Sequence, residues 1–211
     1  DTKSTMLGAG AKIYETIQNN FKSNKKNVLK KINCFISTGS PLSPDTFKFI
    51  NKSLNSQSFI HSVSGGTDIV SCFMLGIPTL PVYSGEIQGP GLGMNIDVYN
   101  EKGKPTKKTG ELVCKTPFPS KPIYFWNDKL NRKYKSAYFE KFPNIWAHGD
   151  YVKKTNNGGY VIFGRSDATL NPGGVRIGTG EIYNSLQKFH WIEDCLATGY
   201  MTENDEKIVL F

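Results

Sequence analysis

Two short apolar segments, each followed by a loop rich in glycine, serine and threonine, constrain the fold of this sequence most. The first segment is Cys34 to Ile36, followed by STGSP at 37–41, and the second is Phe59-Ile60, followed by SGGTD at 64–68. Between them, Ser43-Pro44-Asp45 predicts a helix start, with a capping serine, proline at the first helical position and an acid in the first turn. Strand, loop, helix, strand and loop in this order predict a parallel α/β sheet.

Apolar residues at helical spacing predict three helices. Residues 10–21 place Ile13, Ile17 and Phe21 on one helical face, and the helix that begins at Ser43 presents an apolar face of its own. Near the end of the chain, 181–189 also show apolar residues at helical spacing. The apolar face of the helix that begins at Ser43 consists of Phe47, Ile50 and Leu54, and that of the last helix consists of Ile182, Leu186 and Phe189.

Between residues 79 and 160 the pattern changes to short alternating segments separated by turn residues, which predicts an antiparallel sheet or small barrel. The sequence stops inside the apolar run 208–211, which is more natural for an interrupted strand than for a domain end, so we expect a fragment. We predict an α/β sheet part over 1–78 and a β-barrel-like part over 79–166.

The net charge of +8 raises the possibility of a nucleic-acid partner, but only three residues are arginines, and nucleic-acid recognition favours their forked guanidinium groups. We expect the lysines to lie on a solvated surface and expect no nucleic acid as partner. No apolar run approaches the length of a membrane span, so we expect a soluble, cytoplasmic protein without a membrane partner. The four cysteines are far apart in sequence and are expected to be free thiols.

The two loops that follow the predicted strands are candidates for ligand binding, because open α/β sheets bind ligands at the carboxyl ends of their strands. Thr67 offers a hydroxyl for a phosphate, and Asp68 offers a carboxylate for a hard cation. Taken singly, each loop is explained equally well as an ordinary turn.

Further clusters strengthen the case for a nucleotide. His148-Gly149-Asp150 contains a carboxylate that can accept hydrogen bonds from two vicinal ribose hydroxyls, and Arg165 and Arg176 carry guanidinium groups suited to phosphates. His148 is expected to order the loop of Asp150 rather than to act as a base. The aromatic-rich stretches 124–126 and 134–142 are expected to form core and rim rather than a base-stacking platform.

The motifs at 64–68, 149–150, 164–167 and 174–176 occur in the order and approximate spacing of the core motifs of the adenylate-forming acyl-CoA synthetase superfamily, which the sequence therefore resembles. The stretches 64–73, 81–86, 146–150 and 169–172 resemble the acetoacetyl-CoA synthetase family in particular. The resemblance implies an enzyme with two half-reactions. An acid and ATP give an acyl-adenylate and pyrophosphate, and the thiol of CoA then displaces AMP. Mg²⁺, ATP and CoA are the implied cofactors and substrates.

The resemblance also implies roles for individual residues. Gly39, Ser40 and Pro41 would line the adenine, with Gly65 and Gly66 beside the nucleotide. Thr67 would contact the α-phosphate, Asp68 would hold Mg²⁺, and Arg176 would face the phosphates. Asp150 would bind the ribose with help from Arg165. Asp167 matches the hinge about which a small domain rotates between the half-reactions, and Gly173 and Gly174 match the loop near the pantetheine arm of CoA. The resemblance thus implies that 1–166 belong to the large adenylation domain and that 167–211 form the hinge and the beginning of a small α+β C-terminal domain.

Three departures qualify this resemblance. The family more often has Glu where this chain has Asp68, and often an aromatic residue where it has Ser64. The phosphate loop and catalytic lysine of the family are not among these 211 residues, so the fragment alone is expected to be inactive. Relatives that use acetate carry a bulky aromatic near Gly65, so glycine is expected to leave space for a larger acid such as acetoacetate.

Other functions remain open from the sequence alone. The enzyme could be a ligase for another short acid, such as acetate, propionate or butyrate. A catalytically inactive homologue that only binds a nucleotide is a second alternative, because a fold does not fix a function.

Overall fold

The computed structural model describes residues 3–24, 26–170, 172, 175, 177–186, 188–189, 191–202 and 205–211. The chain begins with a parallel sheet in the order β1-β2-β3, confirming the predicted strand–helix alternation. Helices connect the strands, and the second helix continues as one π-helical turn, Ile50–Leu54. These elements are β1 (Met6–Gly10), α1 (Ala11–Asn19), β2 (Cys34–Thr38), α2 (Pro44–Phe49) and β3 (Phe59–Ser62).

The buried face of α1 differs from the one that the spacing predicted. Ile13 is 55% exposed, whereas Ala11 and Tyr14 are buried. The hydroxyl of Tyr14 is 2.9 Å from the carbonyl of Leu7 and 3.1 Å from that of Ile36. Tyr14 therefore faces the sheet, where its ring is buried and its hydroxyl hydrogen-bonded, and Ile13 is turned towards solvent.

The predicted start of α2 is confirmed. The side chain of Ser43 accepts a hydrogen bond from the backbone N–H of Thr46 at 3.2 Å, which satisfies one of the free donors of the first turn. Phe47, Ile50 and Leu54 are buried, as the apolar spacing predicted. This cap fixes where the helix begins after the loop 39–41.

Antiparallel sheets form the middle of the chain. They are confirmed within 79–160, but they begin earlier, because β4 pairs with β5 at Ser64–Gly66, where the sequence predicts a loop. A small sheet has the order β4-β5-β6, with a register shift between Ser64 and Gly65, and a larger one has the order β10-β9-β8-β7. Their elements are β4 (Ser64–Gly66), β5 (Ser71–Leu75), β6 (Gly89–Pro90), β7 (Ile96–Tyr99), β8 (Gly110–Cys114), α3 (Arg132–Phe139), β9 (Trp146–Lys154) and β10 (Tyr160–Arg165).

An aromatic cluster joins α3 to the larger sheet. The rings of Tyr138 and Trp146 stack with centroids 3.6 Å apart and planes 15° apart. Phe118 meets Trp146 edge-on at 5.3 Å. The prediction that these aromatic stretches form core is confirmed for Tyr134, Tyr138 and Phe142, which are buried.

The last part of the chain consists of α4 (Thr179–Leu186), β11 (Ala197–Met201) and β12 (Glu206–Leu210), and the two strands pair as an antiparallel hairpin. Helix α4 packs against β10 and β11. The division into domains at 78 and 166 stays a prediction. The four cysteines are free thiols, as expected. Among the described residues, no helix has the length and hydropathy required to cross a membrane.

Candidate functional site

A cavity of about 360 Å³ lies at the carboxyl ends of β2 and β3, and residues of β9, β10 and the start of α4 line its opposite side. The loop after β2 contributes Gly39, Ser40 and Pro41 to its lining, and β4 contributes Ser64 and Gly65. Asp150 and Arg165 line it from β9 and β10. The structure therefore brings six of the predicted site residues together: Gly39, Ser40, Pro41, Gly65, Asp150 and Arg165.

Asp150 is the central carboxylate of this cavity. Its Oδ2 accepts a hydrogen bond from the hydroxyl of Ser64 at 3.2 Å, and its Oδ1 lies 3.4 Å from Nη1 of Arg165. Arg165 also donates to the carbonyl of His148 at 2.9 Å. Gly149 makes this possible, since its φ is +85° and a Cβ there would lie 2.4 Å from Nη2 of Arg165. The carboxylate is thus held in place and keeps acceptor capacity for a ligand.

His148 is buried against the aromatic core beside this carboxylate. Its ring meets Phe73 edge-on at 4.6 Å, and only 8% of the residue is exposed. Burial lowers the pKa of His148, and the nearby carboxylates of Asp150 and Asp68 oppose that effect only in part. His148 is therefore neutral at pH 7, and its proposed role in ordering the loop of Asp150 stays a prediction.

The expectation that Gly65 leaves space for an acid is wrong at this position. A Cβ on Gly65 would lie 2.0 Å from the carbonyl oxygen of Ser71 and 2.7 Å from Cα of Cys72. The missing side chain is required by the close approach of β4 and β5 at their register shift. The glycine contributes only backbone to the cavity and opens no volume beyond it.

Gly66, Thr67 and Asp68 lie beside the cavity rather than in its lining. A Cβ on Gly66 would lie 2.0 Å from Oδ1 of Asp68 and 3.3 Å from Cε1 of His148, so glycine lets the carboxylate approach the histidine that lines the cavity. The other oxygen of Asp68 accepts a hydrogen bond from the hydroxyl of Tyr138 at 2.6 Å. Burial is the main cause that raises the pKa of Tyr138, and the hydrogen bond to the carboxylate of Asp68 raises it further. The hydroxyl of Tyr138 therefore stays protonated and acts as the donor.

The single carboxylate of Asp68 fits a cation whose other ligands are phosphate oxygens of a bound nucleotide and water. Among the described residues, no group of three or more His, Cys, Asp or Glu side chains is arranged to hold a metal. Mg²⁺ at phosphate sites typically uses one or two carboxylates together with phosphate oxygens and water. Asp68 meets that requirement, because Tyr138 binds only Oδ2 of its carboxylate and Oδ1 can still contact a cation.

The predicted hinge follows a firmly held residue. The backbone N–H of Ser166 donates to the carbonyl of Gly149 at 2.8 Å, and its hydroxyl donates to Oε1 of Glu111 at 2.9 Å. Glu111 is 3% exposed and also accepts from the ammonium of Lys141. The side chain of Asp167, in contrast, is 74% exposed and lies 3.4 Å from Nε of Arg165. The side chain of Ser166 is therefore held by Glu111, whereas that of Asp167 is exposed.

Three predicted residues, Gly173, Gly174 and Arg176, lie outside the described residues. Two residues that sequence reasoning missed are Tyr138 and Glu111. Tyr138 belongs to an aromatic stretch that the sequence assigns to core and rim, and Glu111 lies in the region where it predicts an antiparallel sheet or small barrel. Glu111 could have been found from the sequence, because it is a charged residue in the otherwise apolar strand segment GELVC. Nothing in the sequence links Tyr138 to Asp68.

Comparison with known proteins gives consistent matches, although no protein-family model matches the chain. The chain is 49% identical over 208 residues to acetoacetyl-coenzyme A synthetase of Rhizobium meliloti (strain 1021) and 46% identical over 211 residues to acetoacetyl-CoA synthetase of Gallus gallus. Each alignment covers 98% of this chain and 32% of the relative. The chain thus spans about a third of the length of these relatives.

Solved structures of CoA ligases also match the chain. The acetoacetyl-CoA synthetase from Streptomyces lividans matches 99% of this chain with a TM-score of 0.84 and 37% identity, and the chain covers 32% of that structure. The anthranilate CoA ligase AuaEII, solved with anthranoyl-AMP, matches 99% of this chain with a TM-score of 0.80 at 18% identity, which supports the fold alone; the chain covers 39% of it. These matches confirm the resemblance that the motifs indicated, and they confirm the predicted fold class.

Proposed function

We propose that this chain, homologous to acetoacetyl-CoA synthetases over nearly its whole length, is part of an AMP-forming ligase that converts acetoacetate, ATP and CoA to acetoacetyl-CoA, AMP and pyrophosphate. The observation that carries the proposal is identity of 43% to 49% to acetoacetyl-CoA synthetases over 98% of the chain. Because the chain spans 32% of the Rhizobium relative, the activity is proposed for the whole protein of which these residues are a part.

In the proposed first half-reaction, a carboxylate oxygen of the acid attacks the α-phosphorus of ATP, and the bond to pyrophosphate breaks. The loop at 39–41 would cover the adenine, and Asp150 would accept hydrogen bonds from the ribose hydroxyls while Arg165 and Ser64 hold its carboxylate. Asp68 would bind Mg²⁺, whose positive charge would offset the charge on the phosphate oxygens. Thr67 would donate to the α-phosphate, and Arg176 would face the phosphates.

In the proposed second half-reaction, the thiol of CoA attacks the acyl carbon, the bond to the AMP oxygen breaks, and the thiol proton is released. Gly173 and Gly174 would let the backbone approach the pantetheine arm. Asp167 would serve as the pivot of the small domain, since the side chain of Ser166 is hydrogen-bonded to Glu111 and the side chain of the next residue is exposed.

The choice of acetoacetate rests on overall similarity. Gly65 does not support this choice, because a side chain there would meet the backbone of β5 rather than fill an acyl pocket. A related ligase for another short acid is therefore the principal alternative.

The test is acid-dependent release of pyrophosphate by the complete protein, supplied with Mg²⁺, ATP and CoA and with acetate, propionate, butyrate, 3-hydroxybutyrate or acetoacetate. We expect the highest kcat/KM with acetoacetate. A preference for another acid would keep the ligase class and overturn the acid assignment. Bound ATP without turnover of any acid would favour the inactive, nucleotide-binding homologue.

A further inference from the structure

We propose that Tyr138 is a positioning residue that orients the carboxylate of Asp68 towards the Mg²⁺ of bound Mg-ATP. The proposal rests on the proposed function, in which Asp68 holds that cation. It concerns the hydroxyl of Tyr138, which donates a 2.6 Å hydrogen bond to Oδ2 of Asp68 across 70 residues of sequence.

The ring of Tyr138 has little freedom to move. It is 9% exposed and stacks on Trp146 with centroids 3.6 Å apart. Phe125 and Tyr134 meet its edges at 5.7 and 5.6 Å. Because aromatic neighbours hold the ring on several sides, its hydroxyl is a fixed point in the structure.

Asp68, in contrast, lies in the turn between β4 and β5 and is exposed. A carboxylate in such a turn samples several rotamers, and only some of them direct an oxygen at a cation bound to ATP. The hydrogen bond from Tyr138 engages Oδ2 and leaves Oδ1 available. Gly66 makes room for this arrangement, since a Cβ there would lie 2.0 Å from Oδ1. Preorganising one carboxylate lowers the entropic cost of binding the cation.

Tyr138→Phe in the complete protein removes the hydroxyl and keeps the stacked ring. We expect the Mg²⁺ concentration for half-maximal pyrophosphate release to rise about tenfold. This change corresponds to the smallest loss expected when a hydrogen bond to a charged group is removed. Calorimetry should show a similar loss in ATP affinity with Mg²⁺ and none without it.

The matched control is Tyr134→Phe, which removes a hydroxyl of the same helix that donates to the carbonyl of Pro122 at 2.6 Å. It should change the Mg²⁺ midpoint less than about twofold, because Tyr134 does not contact Asp68.

A double-mutant cycle tests whether Tyr138 acts through Asp68. Asp68→Asn should itself raise the Mg²⁺ midpoint, and adding Tyr138→Phe should raise it no further. An additional tenfold rise in the double variant would overturn the proposal, as would equal effects of the Tyr138 and Tyr134 substitutions. If the unmodified protein turns over no acid, the proposed function fails, and calorimetry of ATP with and without Mg²⁺ still decides the role of Tyr138. An ATP affinity that does not depend on Mg²⁺ would refute it.

Discussion

The buried carboxylate of Glu111 accepts a 2.9 Å hydrogen bond from the hydroxyl of Ser166, one residue before the proposed pivot at Asp167. Lys141 pairs with the same carboxylate, so Glu111 links β8 to the end of β10 and to the chain after α3. These contacts hold the chain immediately before the proposed pivot.

Ser166→Ala removes that hydrogen bond and should loosen the segment before Asp167. We expect amide hydrogen exchange in the peptide 164–170 to become roughly tenfold faster, because a hydrogen bond to a charged group contributes about 1.5 kcal/mol or more to local stability. Mass spectrometry of the exchanged protein measures this. Ser185→Ala is the control, since it removes a hydroxyl that donates to Glu181 within α4. Unchanged exchange in Ser166→Ala would show that Glu111 does not hold the segment.

Gly65→Ala should destabilise the protein strongly. Its Cβ would lie 2.0 Å from the carbonyl of Ser71, a contact that only a backbone shift relieves, and overpacking of this kind costs about 1–3 kcal/mol or more. Gly8→Ala in β1 is the control, because nothing lies within 4 Å of its Cβ position. Thermal unfolding should show a clearly lower midpoint only for the Gly65 variant. Equal midpoints would contradict the close packing of β4 on β5.

Asp150→Asn should lower the affinity for ATP by at least tenfold. The amide loses the charge that pairs with Arg165 and presents only one acceptor oxygen, and charge-assisted hydrogen bonds contribute about 1.5–3 kcal/mol. Equilibrium binding of a fluorescent ATP analogue measures the effect. Asp97→Asn provides the comparison, because Asp97 pairs with Lys115 away from the cavity. Equal affinities in the two variants would remove Asp150 from the nucleotide site.

His148 should make the protein less stable in mildly acidic solution. Burial lowers its pKa below the ordinary value of 6.5, so the unfolded state takes up a proton before the folded state does. Stability should therefore fall as the pH drops below about 6.5, and the fall should end once the lower folded-state pKa is passed.

The measurement is the thermal midpoint of unfolding between pH 7.5 and 5. His148→Gln carries no titrating ring, so its midpoint should fall less over this interval than that of the unmodified protein. Identical pH profiles for the two proteins would mean that His148 is not the group responsible.

Much of the fold could be predicted because its signals are local. The cap at Ser43 and the strands at Cys34 and Phe59 each depend on neighbours within a few positions, and the structure confirms them. The antiparallel pairing begins at Ser64 rather than after residue 79, because it depends on how β4 meets β5. The buried face of α1 was predicted less well. Spacing alone favoured Ile13, whereas Tyr14 is buried because its hydroxyl reaches carbonyls of Leu7 and Ile36 in the adjacent strands.

The sequence by itself determined the class of fold and the order of the motifs, since short-range propensities and motif chemistry carry that information, and it predicts a nucleotide at the loops. Only the tertiary structure decided that Tyr138 holds Asp68, that Glu111 holds Ser166, and that Gly65 meets the backbone of β5. The two hydrogen bonds join residues 70 and 55 positions apart. The contact of Gly65 with β5 depends on a register shift. Each contact requires strands and helices to be packed in one specific arrangement, which local sequence preferences do not encode.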